Sequence, residues 1–389
     1  MSIYIDRIKK IQLWMRGESL NAFVVTHHVD LYYFCGSMQA GVLWIPVSGQ
    51  AVFYVRKSVL RAKEEANCFV EPISAVKPAW SAWRMIETGR PKIAVTFDTI
   101  TMQQLQRLQN WMPDSEWVDG SIGVKTLRMI KSDHEVEAIR ANAELLNAVF
   151  LQVIQTVQPG MMDIEILAKL EDGLRSGGHT GLLRVRASNS EIVTGTVGSG
   201  AAIAIPSSFD GPAGGEGLHP SFPKGAGRHV WAENEPLLVD IGCSLNGYVI
   251  DQTRTIISGQ MSFEMKRAYD IAEQILFETE ELLKPGAIPE VLYQRALLRA
   301  SEAGFENHFM GFAADQAKFL GHGIGLEIDE WPVLAKGFKD PLQAGMVIAI
   351  EPKFTFPGLG VVGIEDTYLI TEDGFERLTV TPQKLFIVK

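Results

Sequence analysis

Cysteine is scarce in this chain. Cys35, Cys68 and Cys243 are its three cysteines, without CxxC spacing, so no disulfide framework is expected and a reducing compartment is the natural setting. Long apolar stretches are missing as well. No run approaches the roughly 18 consecutive apolar residues of a membrane span, and no membrane partner is expected. The opening MSIYIDRIKKIQLWMRG reads as an amphipathic helix, lacking the apolar segment and small-residue cleavage site of a secretory leader. A cytoplasmic location is the expectation. Positive charge is in deficit, 36 Lys and Arg against 46 Asp and Glu, and it is scattered, which argues against a nucleic-acid partner. HExxH and GxxxxGK[ST] are absent, and Ser207 and Ser208 lack a nucleophile-elbow context. Zincin, P-loop and serine-hydrolase chemistry are left without support.

What the chain does have is apolar material for two cores. Its 389 residues exceed one ordinary domain, and a hydrophobic share of 46% lets each of two domains bury a core. Residues 1–122 alternate a helix (Ile5–Arg16), short strands (22–26, 42–46, 51–55, 91–95) and the helical TMQQLQRLQNWM, the pattern of a small three-layer α/β domain. Residues 123–389 form the second, α+β domain. It opens with LRMIKSDHEVEAIRANAELLNAVFLQVIQTV, in which Ser132 and Glu135 have capping-box spacing and Pro159-Gly160 ends the helix. A helix over 163–176 ends at Gly177-Gly178. From Ser188 to Ala226 the chain is rich in Gly, Ser and Pro and reads as a long irregular functional loop. A strand hairpin over 237–257, helices near 262–283 and 289–303, and further strands complete the domain.

The most informative stretch is PLLVDIGCSLNGYVIDQTRTII, where Asn246-Gly247 is a two-residue hairpin signal. With those two residues at the turn, Leu245 pairs with Tyr248, Asp240 with Thr253, and Gly242 with Asp251. Side chains alternate faces with period two, so Asp240 and Asp251 share a face as diagonal neighbours about 7–8 Å apart. A cation between two such carboxylates removes their repulsion and replaces their lost hydration. The alternative is two solvated Asp residues at a sheet edge.

A second carboxylate pair lies near the C-terminus. Glu351 ends the run MVIAI, Glu365 sits in GVVGIEDTYLI, and a hairpin folding near Gly358 sets them opposite or nearly opposite each other. Charged residues closing apolar runs are rarely buried unless paired or bound to metal. Between the two pairs lies GHGIGL, whose glycines leave the His322 imidazole unobstructed. Taken alone, such a histidine is more often structural than a ligand, and its spaced glycines do not complete a nucleotide loop.

These pieces together, VDIGCSLNGYVIDQTRT, GHGIGLEIDE, GMVIAIEPKF and GIEDTYLITEDGFERLT in that order, resemble the pita-bread-fold family of Xaa-Pro aminopeptidase, prolidase, methionine aminopeptidase and creatinase. LRMIKSDHEVEAIRANA and GESLNAFVVTHHVDLYYFCG resemble the prolidase and creatinase branch, including its creatinase-like N-terminal domain. The resemblance implies two divalent ions, Mn²⁺, Co²⁺, Fe²⁺ or Zn²⁺, held by Asp240, Asp251, His322, Glu351 and Glu365. Asp240 would be a terminal ligand of the first ion, Asp251 and Glu365 would bridge, and His322 and Glu351 would complete the second. It implies a water between ions about 3.5–4 Å apart as nucleophile, with Glu351 accepting its proton. It also implies a homodimer in which the N-terminal domain helps build the partner's site, where His27, His28, Tyr33 and Trp44 are either participants or core residues.

The chain departs from the peptidase pattern in three places. Asp329 stands where proline-specific members carry a second histidine, Gly363 where they often carry arginine, and His219 is an uncertain match to a further histidine that precedes the first metal Asp. An ionised Asp329 only accepts hydrogen bonds, which suits a substrate donor or cation. The loop Ser207–Gly227, with Phe209 and Phe222, either borders the substrate site or is a surface excursion. The expected function is hydrolysis of a short peptide or related amide. The alternative is a small-molecule enzyme on the same fold, a creatinase-like amidinohydrolase or a metal-dependent lyase, and a third is a binding module that has kept the fold without catalysis.

Overall fold

The structure is a computed structural model that describes residues 2–85 and 89–389. The chain divides into two compact units, Met1–Arg128 and Met129–Lys389. The limit expected after residue 122 falls inside the helix Ser121–Met129. Gly123 of that helix lies against the Trp14 indole, where an added Cβ would meet the ring at 2.8 Å. The helix therefore packs within the N-terminal unit.

The N-terminal unit is built on a six-stranded sheet in the order Phe69–Pro72, Val52–Val55, Gly41–Pro46, Ala22–Val25, Lys92–Val95, Glu116–Asp119. Every residue of Ala22–Val25 is buried, so both faces of this strand are covered. Ala22 and Val24 pack with Trp44, Trp80 and Leu108, the last two from the helices Val76–Arg84 and Met102–Trp111. Phe23 points the other way and meets Trp14 of the helix Ile3–Gly17 edge-on at 6.2 Å. The three layers follow from that alternation. Tyr33 and Trp44 are buried within this unit.

The C-terminal unit holds a four-stranded sheet in the order Phe386–Val388, Tyr248–Ser258, Pro236–Leu245, Gly195–Ser199, and a five-stranded one in the order Glu330–Ala335, Phe319–Gly323, Val347–Ile350, Asp366–Ile370, Phe375–Arg377. A ribbon of Lys353–Phe356 with Gly360–Gly363 adjoins them. The helix Asp133–Ile154 starts at the expected capping box, where Ser132 N donates to Glu135 Oε2 at 2.9 Å. Asn142 ties this helix to the long hairpin's turn, donating to Tyr248 O at 3.2 Å and accepting from Leu245 N at 2.6 Å.

The segment expected to be irregular from Ser188 to Ala226 contains the strand Gly195–Ser199 and the short helix Gly200–Ile203. GTVGS has little strand propensity of its own, and its order comes from pairing along Leu237–Ile241. At Gly195, φ is 147° and an added Cβ would sit 2.2 Å from Asp240 O, so only glycine lets this edge approach.

Arg254 fastens the sheets together. Its fully buried guanidinium donates to the carbonyls of Thr253, Glu365, Thr381 and Pro382 and pairs with Asp366 Oδ1 at 2.7 Å. Arg254→Met leaves the buried Asp366 with only the longer contact to Arg377 Nη1 at 3.8 Å, so a loss of about 3–5 kcal/mol is expected. Denaturant unfolding measures it; a loss below about 1 kcal/mol contradicts this account of Arg254.

Candidate metal centre

The long hairpin has the expected register: Leu245 opposite Tyr248, Gly242 opposite Asp251, Asp240 opposite Thr253. Asp240, Asp251 and Thr253 therefore project from one face. Asn246 and Gly247 both have positive φ, 53° and 85°, as the two-residue turn requires.

The C-terminal hairpin is interrupted, yet its register is continuous. Ile350 pairs with Asp366 on one side of the gap and Lys353 with Gly363 on the other, which sets Glu351 against Glu365. The even-numbered apolar residues Ile348, Ile350, Phe354, Phe356, Val362, Ile364, Tyr368 and Ile370 enter the core with the helices Phe263–Glu280 and Pro289–Glu302. With period two, Glu351, Lys353, Gly363 and Glu365 are left on the opposite face. Glu365 also bridges to the long hairpin: its N–H donates to Thr253 O at 3.1 Å, and the Thr253 hydroxyl donates to Glu365 Oε2 at 2.6 Å.

His322 occupies the strand Phe319–Gly323, between Glu330–Ala335 and Val347–Ile350. An added Cβ at Gly321 would meet Ala349 O at 2.1 Å, and one at Gly323 would meet Trp331 O at 2.2 Å. The glycines admit the two neighbouring backbones. The His322 Nδ1–H donates to Gly323 O at 3.1 Å, which leaves Nε2 as the free lone pair, 3.6 Å from Glu351 Oε1.

The five expected ligands thus meet in one place. Asp251, His322 and Glu365 offer ligand atoms within 4.8 Å of one another, and so do Asp240, Glu351 and Glu365. Carboxylate oxygens with one imidazole nitrogen suit a first-row divalent ion. Glu365 Oε1 is buried without a hydrogen-bond partner among the described residues, a lone pair that a cation would satisfy. The Asp251–His322–Glu365 group fits a metal ion.

The other group contains a residue that sequence reasoning missed. Lys353 is fully buried, and its Nζ lies 3.1 Å from Asp240 Oδ2, 2.5 Å from Glu351 Oε2 and 2.9 Å from Glu365 Oε2. The signal that would have found it is its place in KFTF, two residues after Glu351 and on the same strand face. Burial alone would push the lysine down, but Asp240, Glu351 and Glu365 outweigh it and hold the ammonium well above the ordinary range. Burial drives Asp251 well up and Asp240 up, with Lys353 opposing both. Glu351 is pushed up to about 8 by burial, against the pull of Lys353. In Glu365 burial is outweighed, chiefly by Lys353 and then by His322, and the net shift is downward. In His322 burial is outweighed by Asp329 and Glu351, so the imidazole is raised.

The ligand groups open into a cavity of about 350 Å³, with walls that include Ile164, Leu183, Ile192, Phe209, Phe222 and Ile328. His219 and Asp329 also line it. Asp329 is 45% exposed and 3.7 Å from His322 Nδ1, whereas His219 turns its Nδ1 to the backbone N–H of Ser221 at 3.1 Å. Phe209 and Phe222 line the cavity and carry Lys224 Nζ over their rings, at 4.4 and 5.5 Å from the centroids. The loop therefore borders the cavity.

Residues 137–372 match the model of metallopeptidase family M24, and residues 7–130 match that of the creatinase/prolidase N-terminal domain. The chain is 27% identical to an Xaa-Pro dipeptidase of Pyrococcus horikoshii, over 99% of this chain and 100% of that one. It is 28% identical to an Xaa-Pro dipeptidase of Pyrococcus furiosus, over 98% and 99%. Among solved structures, the prolidase from Pyrococcus horikoshii superposes with a TM-score of 0.82 at 26% identity, covering 98% of this chain and 100% of that one. The two-domain creatinase-like and pita-bread architecture is that of these structures.

A divalent ion needs ionised carboxylates and a neutral imidazole, whereas the metal-stripped pocket holds protons on the raised carboxyls, including Glu351 up to about pH 8. Loading with Mn²⁺ is expected to release protons at pH 7, and affinity should rise with pH as the raised Asp251, His322 and Glu351 give up their protons. Calorimetry in buffers of differing ionisation enthalpy counts those protons; uptake, or affinity flat from pH 6 to 9, contradicts the prediction.

Proposed function

The chain belongs to metallopeptidase family M24, and from that premise we propose that it hydrolyses short peptides, with Xaa-Pro dipeptides as its nearest model substrates. The observation that carries this reading is the buried Asp251, His322 and Glu365 beside Glu351 at the base of an apolar cavity of dipeptide size. A bound divalent ion, Mn²⁺, Co²⁺, Fe²⁺ or Zn²⁺, would supply an activated water and polarise the scissile carbonyl. Likeness along nearly the whole chain to Xaa-Pro dipeptidases supports a peptidase over a creatinase-like or lyase activity.

Glu351 is the group placed to take the proton of the attacking water. In the metal-free pocket burial raises its pKa, and an ion nearby would lower it again, leaving an ionised carboxylate that can accept a proton and pass it on. Glu365 and Asp251 anchor the ion. Asp329 at the cavity's edge accepts hydrogen bonds only, which suits a substrate ammonium. Lys224, whose pKa burial lowers, suits the substrate carboxylate. A zwitterionic dipeptide meets both. His219, also on the cavity wall, is placed to donate a hydrogen bond from Nε2–H, because Nδ1 accepts from Ser221. The reading includes a homodimer in the cytoplasm, supported by the family resemblance and by the low cysteine content.

Metal-loaded protein is expected to cleave Xaa-Pro dipeptides and to lose activity to a chelator. Glu351→Gln should lower kcat by about 10²- to 10⁴-fold. Asp329→His provides the specificity control. Proline-dipeptide cleavage that appears only in Asp329→His would place the native substrate elsewhere, and turnover of creatine or small betaines alone would replace the peptidase reading.

A further inference from the structure

Three carboxylates converge on Lys353, and an ammonium has three hydrogens. Its bonds to Asp240, Glu351 and Glu365, at 2.5 to 3.1 Å, use them all. One of the two ligand groups is therefore already closed around a cation that belongs to the chain. The lysine is built in. It sits in the strand Lys353–Phe356, its side chain is fully buried, and its partner across the ribbon is Gly363. An added Cβ at Gly363 would lie 2.6 Å from Lys353 Cγ, so this glycine makes the room the lysine stem occupies.

Glu365 divides its two oxygens accordingly. Oε2 takes Lys353 and the Thr253 hydroxyl, while Oε1 is buried and unpartnered among the described residues. That open oxygen belongs to the same residue that completes the group with Asp251 and His322. Among the described residues, neither Asp251 nor His322 is hydrogen-bonded or ion-paired to Lys353. Charge points the same way. Asp240, Asp251, Glu351 and Glu365 carry four negative charges when ionised, and one dication plus the ammonium brings three positive ones. A second dication would exceed the carboxylates' charge and place three cations on ligands that share atoms.

Resting on the reading that the pocket binds metal, we propose that each chain holds one divalent ion, at Asp251, His322 and Glu365, and that the Lys353 ammonium takes the second cation position. The two-ion arrangement implied by the family resemblance is thereby reduced to one ion and one lysine. Lys353 is a positioning residue in this arrangement. It fixes Asp240, Glu351 and the inner oxygen of Glu365, and its hydrogens are all committed to them.

The test is the ion count. Stripped wild-type protein saturated with Mn²⁺ and freed of excess should carry one ion per chain by elemental analysis, with the six-line electron paramagnetic resonance signal of isolated Mn²⁺. Lys353→Ala, with the position vacated, should carry two ions and show an exchange-coupled signal. Two ions with a coupled signal in the wild type overturn the inference and leave the metal reading standing. No ion in the wild type, with Mn²⁺, Co²⁺ or Zn²⁺, overturns the metal reading together with it. A folded Lys353→Ala chain that still takes only one ion overturns the place assigned to the lysine. If that variant does not fold, the wild-type count and signal alone decide.

Discussion

Four carboxylates gathered in one largely buried cluster repel one another, and the C-terminal unit is arranged around making that repulsion tolerable. Asp251, Glu351 and Glu365 are buried, and Asp240 is half-buried. Without cations such a group would stay protonated or force the cavity open. The opposing charge within the chain is a fully buried lysine, and Asp251, His322 and Glu365, with the free imidazole nitrogen, stand close enough to hold an ion. The Arg254 guanidinium neutralises the neighbouring Asp366 separately, so that carboxylate does not add to the total.

Geometry makes the cluster possible because two independent hairpins are locked in register with each other. Thr253 and Glu365 exchange backbone hydrogen bonds, and Arg254 reaches across to Glu365 O. The ligands come from three strand systems, yet the distances between them are set by ladder hydrogen bonds rather than by flexible side chains. Apolar residues on the opposite strand faces, from Ile348 to Ile370, anchor the same strands in the helix-backed core. Packing on one face of the sheet thus positions charge on the other.

Much of this was legible in the sequence because it rests on local rules. Asn246-Gly247 fixes a turn, the turn fixes a register, and period two puts Asp240 and Asp251 on one side. The Glu351–Glu365 pairing follows from the same logic around Gly358. Two features were not legible for physical reasons. Gly195–Ser199 has no propensity to be a strand and becomes one only because an existing edge pairs with it. Lys353 looks like any solvated lysine in a short strand, and its burial depends on Gly363 and on three acids, one of them far off in sequence.

A positive charge carried on the polymer behaves differently from one drawn out of solution. It is present at fixed stoichiometry from the moment the strand Lys353–Phe356 is synthesised, and no scavenger can dilute it or trade it for another element. Because Lys353 already gathers three of the acids, the proposed arrangement would let a newly made chain close this cavity before it meets any metal. On the proposed arrangement, supply of the element would govern when the protein becomes active, while its maturation would proceed on its own schedule.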